Sequence, residues 1–486
     1  MSPSHRAPEM GPAVPLREPL QVLAAVLLVK LLLLALDPNL RFFMGDSGSY
    51  LHAALTDWVP PDRSFTYPWL VRLALWAQSA HSLVLLQTLL GVASCLILFQ
   101  LLRRGLALPF AWSAGGALLL AVEPSQLFYE RMMMAEAAGG FLLLACLAAT
   151  VAYVRSAQLR WLPLMVLCGL GAVSMRMSLL PVVLGLSACA PLLCALHNHA
   201  RLDRGRPLLA VLRTGVHLAV VMLLTGLSHS AYKQTYGDLT GAEPDYIGAQ
   251  GQMRLGLVAP LVRPEHLARA GVDPALLEEL GPPLQDPRAR EAQIWSPDGL
   301  FGRLQARMPV EDAQRVARKI SVRALQSDPL GLLRLGASTF ADYFDDGIAL
   351  ARMSSDLGDT PPNADMLAVI EERLRYRADG LFERPGLAAG LFEYSRWWLT
   401  LQLFLLAPLA LWALWRAWSE PRRRAALLVL GTLALGLVAS QLLFAHIVSF
   451  RYLHPLPPLS IALAIALLAL LAHAQAPAAA SQRGSA

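Results

Sequence analysis

Ionisable side chains gather at the edges of long apolar runs in this 486-residue chain. Asp46 follows the first run, in Phe43-Met44-Gly45-Asp46-Ser47-Gly48-Ser49-Tyr50, and Glu136 opens a later one. Glu130 and Arg131 lie just ahead of Glu136. Arg176 interrupts one continuous apolar stretch, and Arg451 and Tyr452 precede the last run, in Ser449-Phe450-Arg451-Tyr452-Leu453-His454-Pro455. Charged groups at membrane depth are costly and mark functional candidates. Carboxylates beside arginines at headgroup level suit group transfer from a lipid-linked phosphate: Arg or Lys holds the phosphate, and a carboxylate takes the acceptor's proton. Asp46 fits the base and Glu136 is a second acidic candidate. Arg176 and Arg451 fit the phosphate clamp, with Arg131 and Lys30 in reserve and Tyr50 and Tyr452 beside them. Lys30 lies in the outer half of the first run, where it can snorkel toward the same face.

Structural roles compete with these assignments. Asp46 could cap the helix beginning near Ser49, and Glu136 could complement a helix dipole. Glu130 and Arg131 could be a solvated pair, and the arginines could be headgroup anchors. His446 and His454 match no metal-ligand spacing, so no metal or other cofactor is indicated.

The elements that must position these groups follow from hydropathy. Of the residues, 55% are hydrophobic and 16% charged, against about 25% charged in soluble domains. The apolar residues concentrate in runs near 20–36, 82–102, 106–122, 134–154, 161–175, 177–196, 208–227, 397–416, 425–447 and 456–473, each near the length of a membrane span. An all-α polytopic membrane protein is expected, with about ten transmembrane helices, interfacial helices and a mostly helical extracytoplasmic insertion. The net charge of +6 resides in loops containing Arg103/Arg104, Arg155/Arg160, Arg201/Arg204/Arg206 and Arg422/Arg423/Arg424, not in a nucleic-acid-binding patch. With the N-terminus inside, all four loops fall in the cytoplasm, as the positive-inside bias requires. Arg176 must then mark an outer turn between two spans of about 27 Å each.

The expected organisation is a cytoplasmic tail (1–19), a transmembrane module (20–227) and an insertion (228–395). C-terminal spans (396–473) and a disordered cytoplasmic tail (474–486) follow. The outer loop at 37–81 contains an interfacial helix over Tyr67 to Gln78. In the insertion, Val310 to Phe344 has apolar residues at helical spacing, and Arg373 to Arg377 reads as an exposed helix face with internal ion pairs. The cysteines all fall in apolar runs and read as packing residues. The abundance of Leu, Ala and Arg suggests a GC-rich bacterium, hence the inner membrane with the site facing the periplasm.

Taken together and in this order, these pieces resemble the glycosyltransferase C superfamily. The resemblance is to its polytopic branch, which includes protein O-mannosyltransferases and the aminoarabinose transferases of lipid A. Gly45-Asp46-Ser47-Gly48-Ser49-Tyr50 matches the acidic element of the first outer loop, and Tyr67-Pro68-Trp69-Leu70 resembles the Tyr-Pro that opens the next helix. Ala135-Glu136 matches the small-residue–Glu pair heading a later span. Arg176 after Gly169-Leu170-Gly171-Ala172 resembles the Arg following a Gly-rich run, and Arg451-Tyr452 with Pro455 and Pro458 resembles the C-terminal Arg-Tyr…Pro element. The chain departs from the pattern in its lone Asp46, where some branches pair two aspartates around a divalent metal. Its large insertion also lies between the seventh and eighth spans instead of at the C-terminus. The resemblance implies a transferase that moves a sugar from a polyprenyl-phosphate donor to a lipid, glycan or protein acceptor, with Asp46 as catalytic carboxylate. Competing expectations are a transporter or flippase of lipid-linked saccharides, disfavoured by the one-sided polar groups, and a non-catalytic subunit of an envelope-glycan assembly.

Overall fold

The computed structural model describes the backbone of residues 15–43, 45–202, 207–358, 360–381 and 386–482. Among these residues the secondary structure is helical, and the one β-bridge joins Arg41 to Met132. The N-terminal half runs α1 (Arg17–Leu36), α2 (Ser47–Leu55), α3 (Tyr67–Trp76), α4 (Ala80–Gln100), α5 (Phe110–Ala121), α6 (Pro124–Tyr129), α7 (Glu136–Ser156), α8 (Trp161–Met175), α9 (Leu180–Leu202) and α10 (Pro207–Thr240). Shorter helices form the insertion, and helices Arg396–Arg416, Arg424–Phe444 and Leu456–Gln482 complete the fold.

Seven of the described helices are long and apolar enough to cross a membrane, and α5, α8 and Leu456–Ala472 are shorter apolar helices. Every apolar run read from the sequence thus folds as a helix. Their composition is that of a membrane protein. On α1 only Val22, Val26 and Lys30 are buried, at one-turn spacing, while Leu28, Leu31, Leu32 and Leu36 are exposed. A leucine face left uncovered this way is what lipid would cover.

The basic loops meet at one end of the bundle. Arg103 pairs with Glu18 at 2.7 Å, Arg155 donates to the Arg104 carbonyl, and Arg423 donates to the Leu106 carbonyl. Arg201, Arg204 and Arg206 lie outside the residues whose side chains are described, as does the tail at 474–486. Helix α7 links this end to the other, because it begins at Glu136 and ends beside Arg155. Its length is about 30 Å, one bilayer core.

Helix α10 runs unbroken through Ser228, where the insertion is expected to begin, to Thr240, for 34 residues or about 51 Å, well beyond a hydrocarbon core. The Val310 to Phe344 stretch is two helices, Val310–Ser327 and Pro329–Asp342, separated where Asp328 caps the second and Pro329 cannot continue the first. The Arg373 to Arg377 run is not one helical face: the helix stops at Leu374, Arg375 turns left-handed (φ 48°) to reach Gln78, and Arg377 pairs with Asp379.

The insertion has its own apolar core around Leu255, Phe301, Ala317 and Ile320. Its Tyr343, Ala349 and Met353 nonetheless join the core of the apolar bundle. Helix Pro329–Asp342 lies so close to helix Arg424–Phe444 that a Cβ at Gly336 would come within 1.4 Å of the Leu442 carbonyl oxygen. Only a glycine permits that approach.

Candidate functional site

Three backbone segments converge at the end of the bundle opposite the basic loops. The first is the turn after α1. Arg41 N–H donates to the Arg131 carbonyl at 2.7 Å and Met133 N–H returns to the Arg41 carbonyl at 2.9 Å. The Ser47 hydroxyl accepts from Phe43 N–H and donates to the Met133 carbonyl. These bonds fix the loop carrying Asp46 to the segment leading into Glu136, so both carboxylates share one frame. The second segment is Arg176, extended between α8 and the 3-10 turn Met177–Leu179. The third is Ser449–Leu453, which precedes the last helix.

The Arg451 guanidinium connects the carboxylates. Its Nη2 lies 2.7 Å from Asp46 Oδ2 and 3.1 Å from Glu136 Oε1. Its Nε also donates to Glu136 Oε1, at 3.1 Å, and its face lies over the Phe43 ring. Arg176 Nη1 donates to the Arg451 carbonyl at 2.8 Å, lies 3.9 Å from Glu136 Oε1, and its guanidinium stacks over Tyr452. Asp46 Oδ1 takes a second cation, Arg63 Nη1, at 2.8 Å. Arg63 is braced in turn by Asp62 and the Gly45 carbonyl. Glu136 is 2% exposed and Asp46 16%, so Asp46 presents the reachable edge of the cluster.

The carboxylate of Asp46 is not spent on capping. It occupies the N-cap position of α2, yet its side chain makes no cap hydrogen bond. Burial pushes its carboxyl up, but Arg451 and then Arg63 outweigh burial and hold it below the usual carboxylate range. Tyr50, one turn on, is buried edge-on against Tyr67, and burial, with Asp46 beside it, raises its phenol well above the ordinary value.

Two predicted phosphate ligands are elsewhere. Lys30 does not snorkel to the cluster: it is 1% exposed and its Nζ bonds Glu130 Oε1 at 2.6 Å. Arg131 is 1% exposed and donates to the carbonyls of Asp37 and Leu127, tying the end of α1 to α6. Glu130 and Arg131 are therefore not a solvated pair. Each is buried with a separate partner. His454 is buried against Tyr129, and burial holds its imidazole neutral, down to about 3. Among the described residues no group of His, Cys, Asp and Glu could hold a metal ion.

Arg63, Asp62 and Asp356 belong to the site and were missed in the sequence. Arg63 had a local signal, since it follows Pro60-Pro61 in the same segment between α1 and α3 as Asp46. Asp356 had none: it lies on helix Asp346–Leu357 of the insertion and reaches the site only through tertiary packing. No family model, curated protein or solved structure matches this chain.

Proposed function

We propose that this chain is a membrane glycosyltransferase that moves a sugar from a polyprenyl-phosphate donor to an extracytoplasmic lipid, glycan or protein acceptor. The observation that carries the proposal is Arg451, held between Asp46 and Glu136 at one end of the apolar bundle, with Arg63 and Arg176 beside it. The basic loops at the opposite end favour placing that end in the cytoplasm and the cluster outside. On this topology all ten apolar helices cross the bilayer, α3 lies on its surface with Trp69 and Trp76 exposed, and the cell is bacterial.

The resting cluster is close to neutral, because Arg63, Arg176 and Arg451 face Asp62, Asp46 and Glu136. A donor phosphate entering at headgroup level competes with Asp46 for Arg451, since arginine binds phosphate and carboxylate through the same planar fork. Losing Arg451 to the phosphate removes the largest pull that lowers the Asp46 carboxyl and makes Asp46 a stronger base. Asp46 then takes the proton of the acceptor hydroxyl or amide while that oxygen or nitrogen bonds to the anomeric carbon. The bond from that carbon to the phosphate oxygen breaks with its electron pair, and the anomeric centre inverts. Polyprenyl phosphate departs as an anion held by Arg451 and Arg176.

The test uses purified protein in nanodiscs with polyprenyl-phosphate sugars, comparing wild type, Asp46→Asn and Arg451→Ala. Asp46→Asn should bind donor but not transfer, because the amide cannot accept the proton. Arg451→Ala should lose donor affinity. A wild type that neither binds nor consumes any such donor refutes glycosyl transfer and leaves transport or a non-catalytic assembly role, whereas normal transfer by Asp46→Asn refutes Asp46 as the base.

A further inference from the structure

We propose that Asp356, on the insertion, is a positioning residue that sets the Arg451 guanidinium for an anionic ligand. The insertion thereby becomes part of the binding site, not merely its cover. Asp356 touches neither Asp46 nor Glu136. Its carboxylate accepts from the Ser449 hydroxyl at 3.0 Å (Oδ1) and 3.1 Å (Oδ2), from Phe450 N–H at 2.6 Å and from Arg451 N–H at 3.3 Å. Three consecutive residues of the segment carrying Arg451 are thus held by one side chain almost a hundred residues earlier. Tyr343, from the preceding insertion helix, donates its hydroxyl to the Ser449 carbonyl at 2.9 Å and accepts from Ser449 N–H at 3.2 Å. The insertion therefore fixes both faces of the Ser449 peptide. From the apolar helices, Gln441 donates to the Tyr452 carbonyl and Arg176, at the end of α8, to the Arg451 carbonyl.

The geometry makes the carboxylate form necessary. Asp356 must accept from three donors at once, and an ionised carboxylate accepts on both oxygens whereas a protonated one turns one oxygen into a donor. Burial pushes its carboxyl up to about 6, against the pull of Arg451. Arg451, Tyr343, Tyr452 and Tyr129 face it, and none of them changes charge between pH 5 and 8, since all four are raised from already high values. On its own helix Arg352 is paired with Glu291, and His446, in the loop before Ser449, is lowered by burial to about 4. On the adjoining helix Leu387–Tyr394, Glu393 and Tyr394 are exposed. Acidification through pH 6 therefore acts on this turn through Asp356.

That the ligand is a polyprenyl-phosphate donor rests on the function proposed above, so the experiment has one readout that needs no donor. Arginine modification by phenylglyoxal, quantified for the Arg451 peptide, should be several-fold faster in Asp356→Asn than in wild type, because the turn is released. Donor affinity in nanodiscs should fall about tenfold in Asp356→Asn, the scale of a lost hydrogen bond to a charged group. The wild-type affinity should weaken from pH 7 to pH 5 while the variant stays flat. Asp356→Asn with Arg451→Ala should bind no worse than Arg451→Ala alone. Unchanged Arg451 labelling in Asp356→Asn overturns the proposal whatever the donor does. Faster labelling in a protein that binds no donor at any pH supports the positioning role and refutes the donor instead. Additive losses in the double variant would show that Asp356 acts on the fold at large and not through Arg451.

Discussion

Replacing Lys30 by Met retains the side-chain volume and removes the charge, which leaves Glu130 buried without its cation. Glu130 is fully buried, and its remaining side-chain partner would be Gln126 Nε2 at 3.0 Å on Oε1, with no partner on Oε2. Breaking a buried pair by removing one partner costs about 3–5 kcal/mol, because the other charge is stranded. Adding Glu130→Gln removes that charge, and neutral replacement of a buried pair is often close to neutral for stability. The double variant should therefore recover to within about 1–2 kcal/mol of wild type. Reversible unfolding in mixed micelles by SDS titration measures both differences. The restored double variant then decides what Lys30 is for: with the pair serving packing alone, its donor affinity should equal that of wild type. A Lys30→Met protein within about 1 kcal/mol of wild type would refute the buried-pair energetics. A stable double variant without donor affinity would return Lys30 to the phosphate clamp.

Other outcomes follow from the same geometry. Asp356 has a raised carboxyl, so between about pH 4 and pH 6 the folded chain binds a proton that the unfolded chain does not, and its contribution stabilises as pH falls through 6. Protonation of both states is worth about 3 kcal/mol, and because the unfolded Asp begins to protonate near pH 4, the wild-type-minus-Asp356→Asn difference in unfolding free energy should grow by about 2 kcal/mol from pH 7 to pH 4; a flat difference refutes the shift. Gly336→Ala should force helix Pro329–Asp342 off the Leu442 carbonyl and expose the insertion to limited proteolysis, with no change in cleavage if the helices are not in contact. Tyr343→Phe removes a hydroxyl bonded to both sides of the Ser449 peptide and should cost about 1–3 kcal/mol in the same titration.

Hydropathy is a local property, and it determined the helices. An unbroken apolar run of span length has few alternatives to a helix in a bilayer, since each backbone group must find its partner within the segment. The turn at Arg176 was legible too, because a charge interrupts one long apolar stretch there. The acidic and basic residues at one end were legible as candidates, since they fall at the edges of apolar runs, but Lys30 and Arg131, read with them, find other partners. What the sequence could not decide was which of them touch. Asp46 and Arg451 are separated by 405 positions, and Asp356 and Phe450 by 94, and no periodicity reports such pairs. Lys30 shows the limit most plainly. Its depth allowed either snorkelling to the site or burial, and only the packing of α1 against α4, with Glu130 waiting at 2.6 Å, chose burial. The length of α10 beyond Leu227 escaped for the opposite reason: its polar continuation carries no hydropathy signal, and helix persists there through contacts such as Phe65 on Tyr232 and Tyr236. Composition and order thus specify the spans and the end at which charge collects. The choice of partner belongs to tertiary structure, because a buried charge settles where a counter-charge and a filled cavity coincide, and neither is a property of its neighbours in the chain.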